Sequence, residues 1–154
     1  MSRENLLKQV GAAAQAYQAS VEAFDEAVAR RMRINSTDLR CIEVLLQEDS
    51  VTPGRLAVAL GLTTGSVTAM LDRMTRLGYL SRSPDPMDRR KIVVRATDRT
   101  RELTTELYLP LAVEGERDVL GHYTDEELEV VLDFLTRARQ LQERHHQRVI
   151  PRRP

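Results

Sequence analysis

The chain has 154 residues, and its 23 basic side chains balance 23 acidic ones, so its formal net charge is zero. This length fits one domain with long extensions and is enough to bury a core without disulfide or metal staples. An apolar fraction of 42% and a charged fraction of 30% exclude a disordered chain. Aromatic residues make up only 4%, which disfavours a nucleic-acid platform of stacked rings. Taken alone, the zero net charge also argues against a nucleic-acid partner.

The single cysteine, Cys41, excludes a disulfide within one chain and a four-cysteine zinc site. No apolar run approaches the roughly 18 residues of a membrane span or forms the core of a signal peptide. We therefore expect a cytoplasmic protein with no membrane partner. Cys41 lies among aliphatic residues, so we expect a buried, unreactive thiol, with a redox-active thiol as the alternative.

The first predicted element is a helix over residues 4–33. Apolar residues recur in it at spacings of three and four, at Leu6, Val10, Ala13, Tyr17, Val21, Phe24 and Val28. Such a helix would be about 45 Å long at ~1.5 Å per residue. One compact domain rarely needs so long a helix, so a partner chain is a natural cover for its apolar stripe.

Three shorter helices are predicted next. Asn35 or Ser36 can cap the first of them. Thr52 followed by Pro53 is a strong start for the second, which Gly61 ends. Only three residues separate the second helix from the third, and this spacing predicts a helix-turn-helix.

The third short helix is predicted from a cap at Thr63 to an end at Gly78. One face is apolar, with Val67, Met70, Leu71, Met74 and Leu77. The other face is small or hydroxyl-bearing at first and basic further along, with Gly65, Ser66, Thr68, Ala69, Asp72, Arg73 and Arg76. A helix that enters the major groove of DNA needs small side chains for close approach and donors for bases and phosphates.

A β-hairpin is predicted after this helix, with strands over residues 79–83 and 89–97. Its tip is rich in proline and aspartate and carries Arg89, Arg90 and Lys91 in a row. A hairpin directly after a helix-turn-helix is typical of a wing. An ordinary solvated hairpin tip is the alternative.

Two further helices complete the chain. Thr97 or Asp98 starts the first, which we expect to kink or break at Pro110 and to end near Leu120. Thr124 and Glu127 form a capping box for the last helix. That helix is predicted to fade into a basic tail, frayed over residues 151–154.

The residues that carry a family resemblance lie in this central region. Residues 62–80, LTTGSVTAMLDRMTRLGYL, resemble the recognition helix of MarR-family transcriptional regulators. Residues 85–97, DPMDRRKIVVRAT, resemble their wing, with its Asp-Arg-Arg signature at Asp88, Arg89 and Arg90. Residues 35–40 resemble the start of a helix in one branch of the family. Ala96 departs from the pattern, because a larger aliphatic residue is common there, and we expect only a local packing effect.

The resemblance implies a mainly α fold with a small β-hairpin wing, in which long terminal dimerisation helices flank a winged helix-turn-helix. The expected division is an N-terminal dimerisation helix at 1–34, a DNA-binding domain at 35–99, and C-terminal dimerisation helices with a basic tail at 100–154. It also implies a homodimer that binds a palindromic operator in double-stranded DNA, with the recognition helix in the major groove and the wing at the minor groove. Repression relieved by a small aromatic or phenolic ligand is the usual mode, and no cofactor is expected.

We expect the DNA contacts to come from the recognition helix and the wing. The candidates are Thr63, Thr64, Ser66, Thr68, Arg73, Arg76, Arg89, Arg90 and Lys91. Hydroxyls at a helix N-terminus can bond phosphates or base edges, and arginines are attracted to narrow minor grooves. The resemblance assigns Asp88 to stabilising the wing. For Arg73, the alternative is an ion pair with Asp88 or Asp72 that holds the wing in place.

Other residues carry weaker indications. Ser36, Thr37 and Arg40 are candidates to touch the DNA backbone, with helix capping as the alternative for the first two. The ligand candidates are Tyr17, Phe24, Arg40 and Tyr108, with core packing as the alternative for each aromatic residue. No metal site is expected, because His122, His145 and His146 lack a metal-ligand spacing and are typical of solvated surface histidines.

The sequence disfavours two other classes of function. An enzyme is disfavoured, since the chain has no P-loop, Rossmann, HExxH or GxSxG motif. The alternative is a winged-helix module for protein contacts without sequence-specific DNA binding, which would not need three consecutive cations beside a helix face of small residues.

The charge is unevenly distributed along the chain. Residues 73–101 include nine basic and three acidic side chains, a net charge of +6, so the remainder carries −6. The zero total is therefore a cancellation. It indicates the region that a DNA partner would approach.

Overall fold

The computed structural model of the protein describes residues 2–149. In chain order these form α1 (Arg3–Met32), α2 (Ser36–Gln47), α3 (Pro53–Leu60), α4 (Thr64–Arg76), β1 (Leu80–Pro84), β2 (Ile92–Ala96), α5 (Asp98–Asp118), a 3₁₀ turn (Leu120–His122) and α6 (Asp125–Val149). The mainly helical fold with one β-hairpin is confirmed.

The short helices begin and end where their capping residues predict. The Asn35 side chain accepts the backbone N–H of Asp38, and the Asp38 side chain accepts the N–H of Asn35 in return, so the two form a capping box for α2. The hydroxyl of Thr52 caps α3. Gly61 ends that helix at φ 66°, in the left-handed region that glycine adopts without strain. The hydroxyl of Thr63 then caps α4.

Helices α3 and α4 are bent by 109° at the break between them, within the range of a helix-turn-helix. Helix α4 is the second helix of this motif, at the position of the predicted recognition helix. No single helix among residues 2–149 is long and apolar enough to cross a membrane, although α3 and α4 taken together reach that length and composition.

The hairpin is a two-stranded antiparallel sheet in which Leu80 lies opposite Ala96 and Pro84 opposite Ile92. Its second strand is shorter than predicted, because residues 89–91 belong to the turn at the tip. An isolated bridge adds Val51 to the sheet, where its N–H and C=O bond the backbone of Val94 at 3.1 and 2.8 Å. The bridge anchors the hairpin to the turn between α2 and α3.

The chain divides into two compact units, and the first ends at Leu107. Its core is aliphatic and is built by α2, α3, α4 and the hairpin. The most deeply buried side chains include Ile42, Leu45, Leu56, Leu71, Met74 and Val94. Of the 30 residues of α1, only Val28, Ala29 and Met32 near its C-terminal end are buried.

The second unit begins at Tyr108 and includes the end of α5 and all of α6. Helix α5 runs on through Pro110, so the expected break there is wrong. A proline removes one backbone hydrogen bond, and the turns on either side of it preserve the helix. The capping box at Thr124 and Glu127 is confirmed, with hydrogen bonds of 3.3 and 2.9 Å. The prediction for residues 151–154 lies outside the described residues.

Candidate nucleic-acid interface

The recognition helix α4 has one buried and one solvent-facing side. Val67, Met70, Leu71 and Met74 are buried in the core, as the apolar spacing predicts. The opposite face is exposed along its length, at Thr64, Gly65, Ser66, Thr68, Ala69, Asp72, Arg73, Thr75 and Arg76. The helix therefore presents small and hydroxyl-bearing side chains near its N-terminus and cations near its C-terminus.

The hydroxyls at the start of α4 are already organised within the chain. The Thr63 hydroxyl accepts the N–H of Ser66 at 3.2 Å, and the two side-chain oxygens lie 2.9 Å apart. The Thr68 hydroxyl donates to the carbonyl of Thr64 at 3.0 Å. Its oxygen can still accept a hydrogen bond. These bonds hold the hydroxyls at defined positions on the exposed face.

Arg73 lies on the exposed face, but its guanidinium is paired. It donates to the carboxylate of Asp38 in α2. The expected alternative partners, Asp88 and Asp72, are both wrong. Asp72 pairs instead with Arg82 of β1, at 2.7 Å. Two neighbouring residues of the recognition helix thus hold it to α2 on one side and to the wing on the other.

The wing tip is shaped by two aspartates. Asp85 accepts the backbone N–H groups of Met87 and Asp88 at 2.7 and 3.2 Å. Asp88 accepts the N–H of Arg90 at 3.2 Å, and its carboxylate lies 3.6 Å from the Lys91 ammonium. Sequence reasoning missed Asp85, although an Asx turn is what an aspartate before such a tip commonly forms.

Within residues 2–149, two of the three cations at the wing tip are free of an ion pair, and the third lies beside a carboxylate. Arg89 and Arg90 are exposed, and neither has an ion pair among the described residues. Lys91 is exposed as well, but Asp88 offsets part of its charge. The predicted row of three cations is present at the surface, with the two arginines best placed to meet an anionic partner.

A buried cluster of hydrogen bonds joins the hairpin to the neighbouring helices. The Tyr79 hydroxyl donates to the carbonyl of Met32 at 2.7 Å, at the end of α1. The Thr100 hydroxyl donates to the carbonyl of Tyr79 at 2.7 Å, at the start of α5. Arg99 lies over the Tyr79 ring, 5.8 Å from its centre. The wing is thus tied to both helices that flank the winged domain in the sequence.

The ligand candidates lie on different elements. Tyr17 is 68% exposed, so core packing within one chain is the wrong alternative for it. Phe24 is half-buried two turns further along the same face of α1. Arg40 is exposed on α2, and its charge acts on Glu43. Tyr108 is half-buried and belongs to the second unit.

Cys41 is fully buried in α2, as expected. Burial, and secondarily the negative charge of Asp38, raises the pKa of the Cys41 thiol from 9.0 to about 12. Almost no thiolate forms at neutral pH, so we expect slow modification by thiol reagents. The three histidines lie in the exposed part of the second unit. No group of three potential ligands among residues 2–149 could hold a metal ion.

Comparisons with known proteins identify the family to which the chain belongs. A MarR family model matches residues 34–91, which run from the start of α2 to the wing tip. An uncharacterised HTH-type transcriptional regulator of Bacillus subtilis, YcgE, is 35% identical over 126 residues, which cover 82% of this chain and 81% of the relative. The chain belongs to the MarR family of transcriptional regulators.

Other similarities extend this assignment. The HTH-type transcriptional regulator PecS of Dickeya dadantii is 32% identical over 78 residues, about half of each protein. A MarR family protein from Bacillus stearothermophilus has the same fold, with a TM-score of 0.69, 20% identity and coverage of 93% of this chain and 99% of that structure. The MarR family comprises DNA-binding transcriptional regulators and not enzymes.

Proposed function

We propose that this MarR-family regulator binds a palindromic operator as a homodimer and represses transcription until a small aromatic ligand releases it. Helix α4 enters the major groove and the wing lies at the minor groove of each half-site. The observation that carries the proposal is the exposed face of α4 beside Arg89 and Arg90 at the wing tip.

The charge distribution supports DNA as the partner of this face. Residues 73–101 carry a net charge of +6, whereas the rest of the chain carries −6. A basic surface on a protein of neutral total charge attracts a polyanion in one orientation and limits indiscriminate association. Arg76, Arg89 and Arg90 contribute phosphate or minor-groove contacts, and Thr63, Thr64, Ser66 and Thr68 meet phosphates or base edges.

Uncovered apolar side chains support the homodimer. Leu6, Val10, Tyr17 and Val21 of α1 are exposed in the single chain, and so are Leu111, Val119, Leu132, Phe134, Leu135 and Leu141 of the second unit. Large apolar side chains exposed along one face of a helix, as in α1, are typical of interaction surfaces. In this proposal the helices within residues 1–34 and 100–154 supply the dimer contacts, and residues 35–99 supply the contacts with DNA.

The ligand part of the proposal rests on aromatic residues that the single chain leaves accessible. Tyr17 and Phe24 share one face of α1, and the cation of Arg40 on α2 suits an aromatic acid. We expect a phenolic acid to raise the melting temperature and to weaken operator binding. A compound that stabilises the protein and leaves operator affinity unchanged would refute release by that compound.

The first experiment is a gel shift with genomic fragments, starting with DNA upstream of the protein's own gene. We expect fragments to be retained at low salt, and the double variant Arg89→Ala/Arg90→Ala to lose about ten- to a hundredfold in affinity, as two charge-assisted contacts per chain are removed. The matched control is Arg144→Ala, which removes an exposed cation from α6, outside the winged region. With its dimer mass unchanged in sedimentation, it should bind DNA as tightly as the wild type.

Circular dichroism and sedimentation separate this effect from misfolding, since the wing-tip variant should keep its fold and its dimer mass. Failure of the wild-type protein to retain any fragment at low salt would contradict the proposal and favour a protein-contact module. Equal losses in the wing-tip variant and the Arg144 control would contradict the assignment of the wing to DNA.

A further inference from the structure

The ion pair between α2 and the recognition helix is unusual in its burial. The Asp38 side chain is only 2% exposed, while its partner Arg73 is 44% exposed. A buried carboxylate costs free energy unless it is paired and hydrogen-bonded. Here one oxygen accepts the backbone N–H of Asn35 at 3.3 Å, and the other accepts the guanidinium.

Helix capping alone does not account for a buried aspartate at this position. The capping box at the start of α6 uses Thr124 and Glu127 in the same way, and both residues are exposed. The additional feature of Asp38 is its reach to α4. Its second oxygen accepts the guanidinium of Arg73 and so connects α2 to the recognition helix α4.

The adjacent residue Asp72 makes a second tether in the other direction. It pairs with Arg82 of β1 at 2.7 Å. The C-terminal half of α4 is therefore held by consecutive side chains to α2 and to the wing. Arg76, one turn further along, has no ion pair among the described residues and remains available to a phosphate.

We propose that Asp38 and Arg73 are positioning residues for operator binding. Their ion pair fixes the orientation of α4 relative to α2. Arg73 supports DNA binding through this pair and does not itself neutralise a phosphate of the DNA. This inference rests on the proposed function, since it concerns how the DNA-binding surface is aligned.

The decisive variant is Asp38→Asn. An effect of charge alone and the loss of a positioning contact change the operator affinity of this variant in opposite directions. Removing a negative charge close to a DNA-binding surface should by itself tighten binding. Loss of a positioning contact should weaken it, and we expect a loss of about tenfold from the unpaired group that remains. The matched control is Asp49→Asn, which removes the same charge from the exposed turn after α2 and should bind equally or slightly more tightly.

The dependence of operator affinity on salt distinguishes a phosphate contact from a positioning contact, because only the loss of a phosphate contact changes the slope of log K against log salt. Arg76→Ala should reduce the slope of log K against log salt by about one per chain. Arg73→Ala should weaken binding and leave the slope unchanged. In the double variant Asp38→Asn/Arg73→Ala, the affinity should be no lower than in Arg73→Ala alone, because the pair acts as a unit.

Arg73→Lys provides a second line of evidence, since it alters a half-exposed side chain and should preserve the fold. In a chain that keeps Asp38, Arg73→Lys should recover part of the operator affinity that Arg73→Ala loses. In a chain that also carries Asp38→Asn, it should recover none. Thermal unfolding and dimer mass are measured for every variant.

Three outcomes would overturn the inference. They are an Asp38→Asn protein that binds at least as tightly as wild type, an Arg73→Ala slope that falls as far as that of Arg76→Ala, or full additivity of the two substitutions. Wild-type protein that binds no DNA would instead refute the proposed function on which the inference rests.

Discussion

The winged region of this protein buries its apolar side chains within the chain, whereas the C-terminal helices leave theirs exposed. All buried apolar side chains among residues 2–149 fall between Val28 and Ala96. Helix α6 contains Leu132, Phe134 and Leu135, and none of its described residues is buried. One region completes its own core, whereas the other presents an apolar surface that its own chain leaves uncovered.

This difference is what the proposed function requires of one chain, namely a winged region that binds DNA and terminal helices that dimerise. The winged region holds its shape by packing, by the bridge at Val51 and by ion pairs from Asp38 and Asp72. The terminal helices gain their stability from a second copy in the proposed dimer. Substitutions in the two regions should therefore have different consequences.

The largest expected effect is a core truncation in the winged region. Ile42 is fully buried, so Ile42→Ala should cost about 2–5 kcal/mol of unfolding free energy, measured by urea denaturation. Leu132→Ala removes a similar side chain that is 65% exposed, and it should raise the dimer dissociation constant in sedimentation experiments. Equal losses of urea stability, with dimerisation unchanged, would contradict the contrast between the regions.

A second prediction concerns Gly65 on the exposed face of α4. A Cβ atom there would meet no atom of the protein within 4 Å, so packing within the chain does not require a glycine. Gly65→Ala should raise stability through helix propensity, by less than the roughly 0.5–1 kcal/mol of a helix interior because Gly65 lies in the first turn, and should lower operator affinity by about tenfold through a clash with DNA.

The matched control for this prediction is Gly11→Ala, at an exposed position of α1 that also has open space for a Cβ. It should give the gain in stability without the loss of operator affinity. A Gly65→Ala protein that binds the operator as tightly as wild type would show that this end of α4 does not approach the DNA closely.

The smallest expected effect lies between α1 and α2. Partial burial, and secondarily the charge of Asp25, raises the pKa of Glu43 above its usual value of 4.5. Because this pKa is higher in the folded state than in the unfolded state, ionisation of Glu43 lowers stability progressively as the pH rises from the unfolded-state pKa through the folded-state pKa. Glu43→Gln should therefore stabilise the protein at pH 7, by less than about 1 kcal/mol because the site is partly solvated.

Thermal melts across the acid range check the sign of this effect. The advantage of Glu43→Gln should disappear below about pH 4, where the wild-type carboxyl is protonated in both states. Glu129→Gln on the exposed face of α6 is the control and should show no comparable gain. A gain that persists at low pH would assign the effect to something other than charge.

Local sequence signals were sufficient for most of the fold. Capping residues and glycines placed the short helices to within a residue or two, as Thr52 and Gly61 illustrate. The break expected at Pro110 is absent, because intrinsic propensity yields to the helix around it, while the kink expected there stays a prediction. The Val51 bridge was missed because it joins residues far apart in the sequence, and no local pattern announces such a pairing.

The candidate site was predicted in part for the same reason. The exposed face of α4 follows from helical periodicity, and the cations of the wing follow from their place at the proline- and aspartate-rich tip between two predicted strands. The partner of Arg73 is Asp38, 35 residues earlier, and its choice depends on how α2 and α4 pack. A sequence reveals that a charge is present, whereas the tertiary fold determines whether that charge faces solvent or a partner.

The most direct test of the account is the salt dependence of operator affinity, measured by fluorescence anisotropy on a fragment retained in the gel shift. We predict a steep linear fall of log K with log salt, with a slope of about 0.9 for every phosphate that the two winged regions neutralise. The Arg89→Ala/Arg90→Ala protein should give a shallower slope. A wild-type affinity that does not change with salt would contradict the central claim that this basic surface binds DNA.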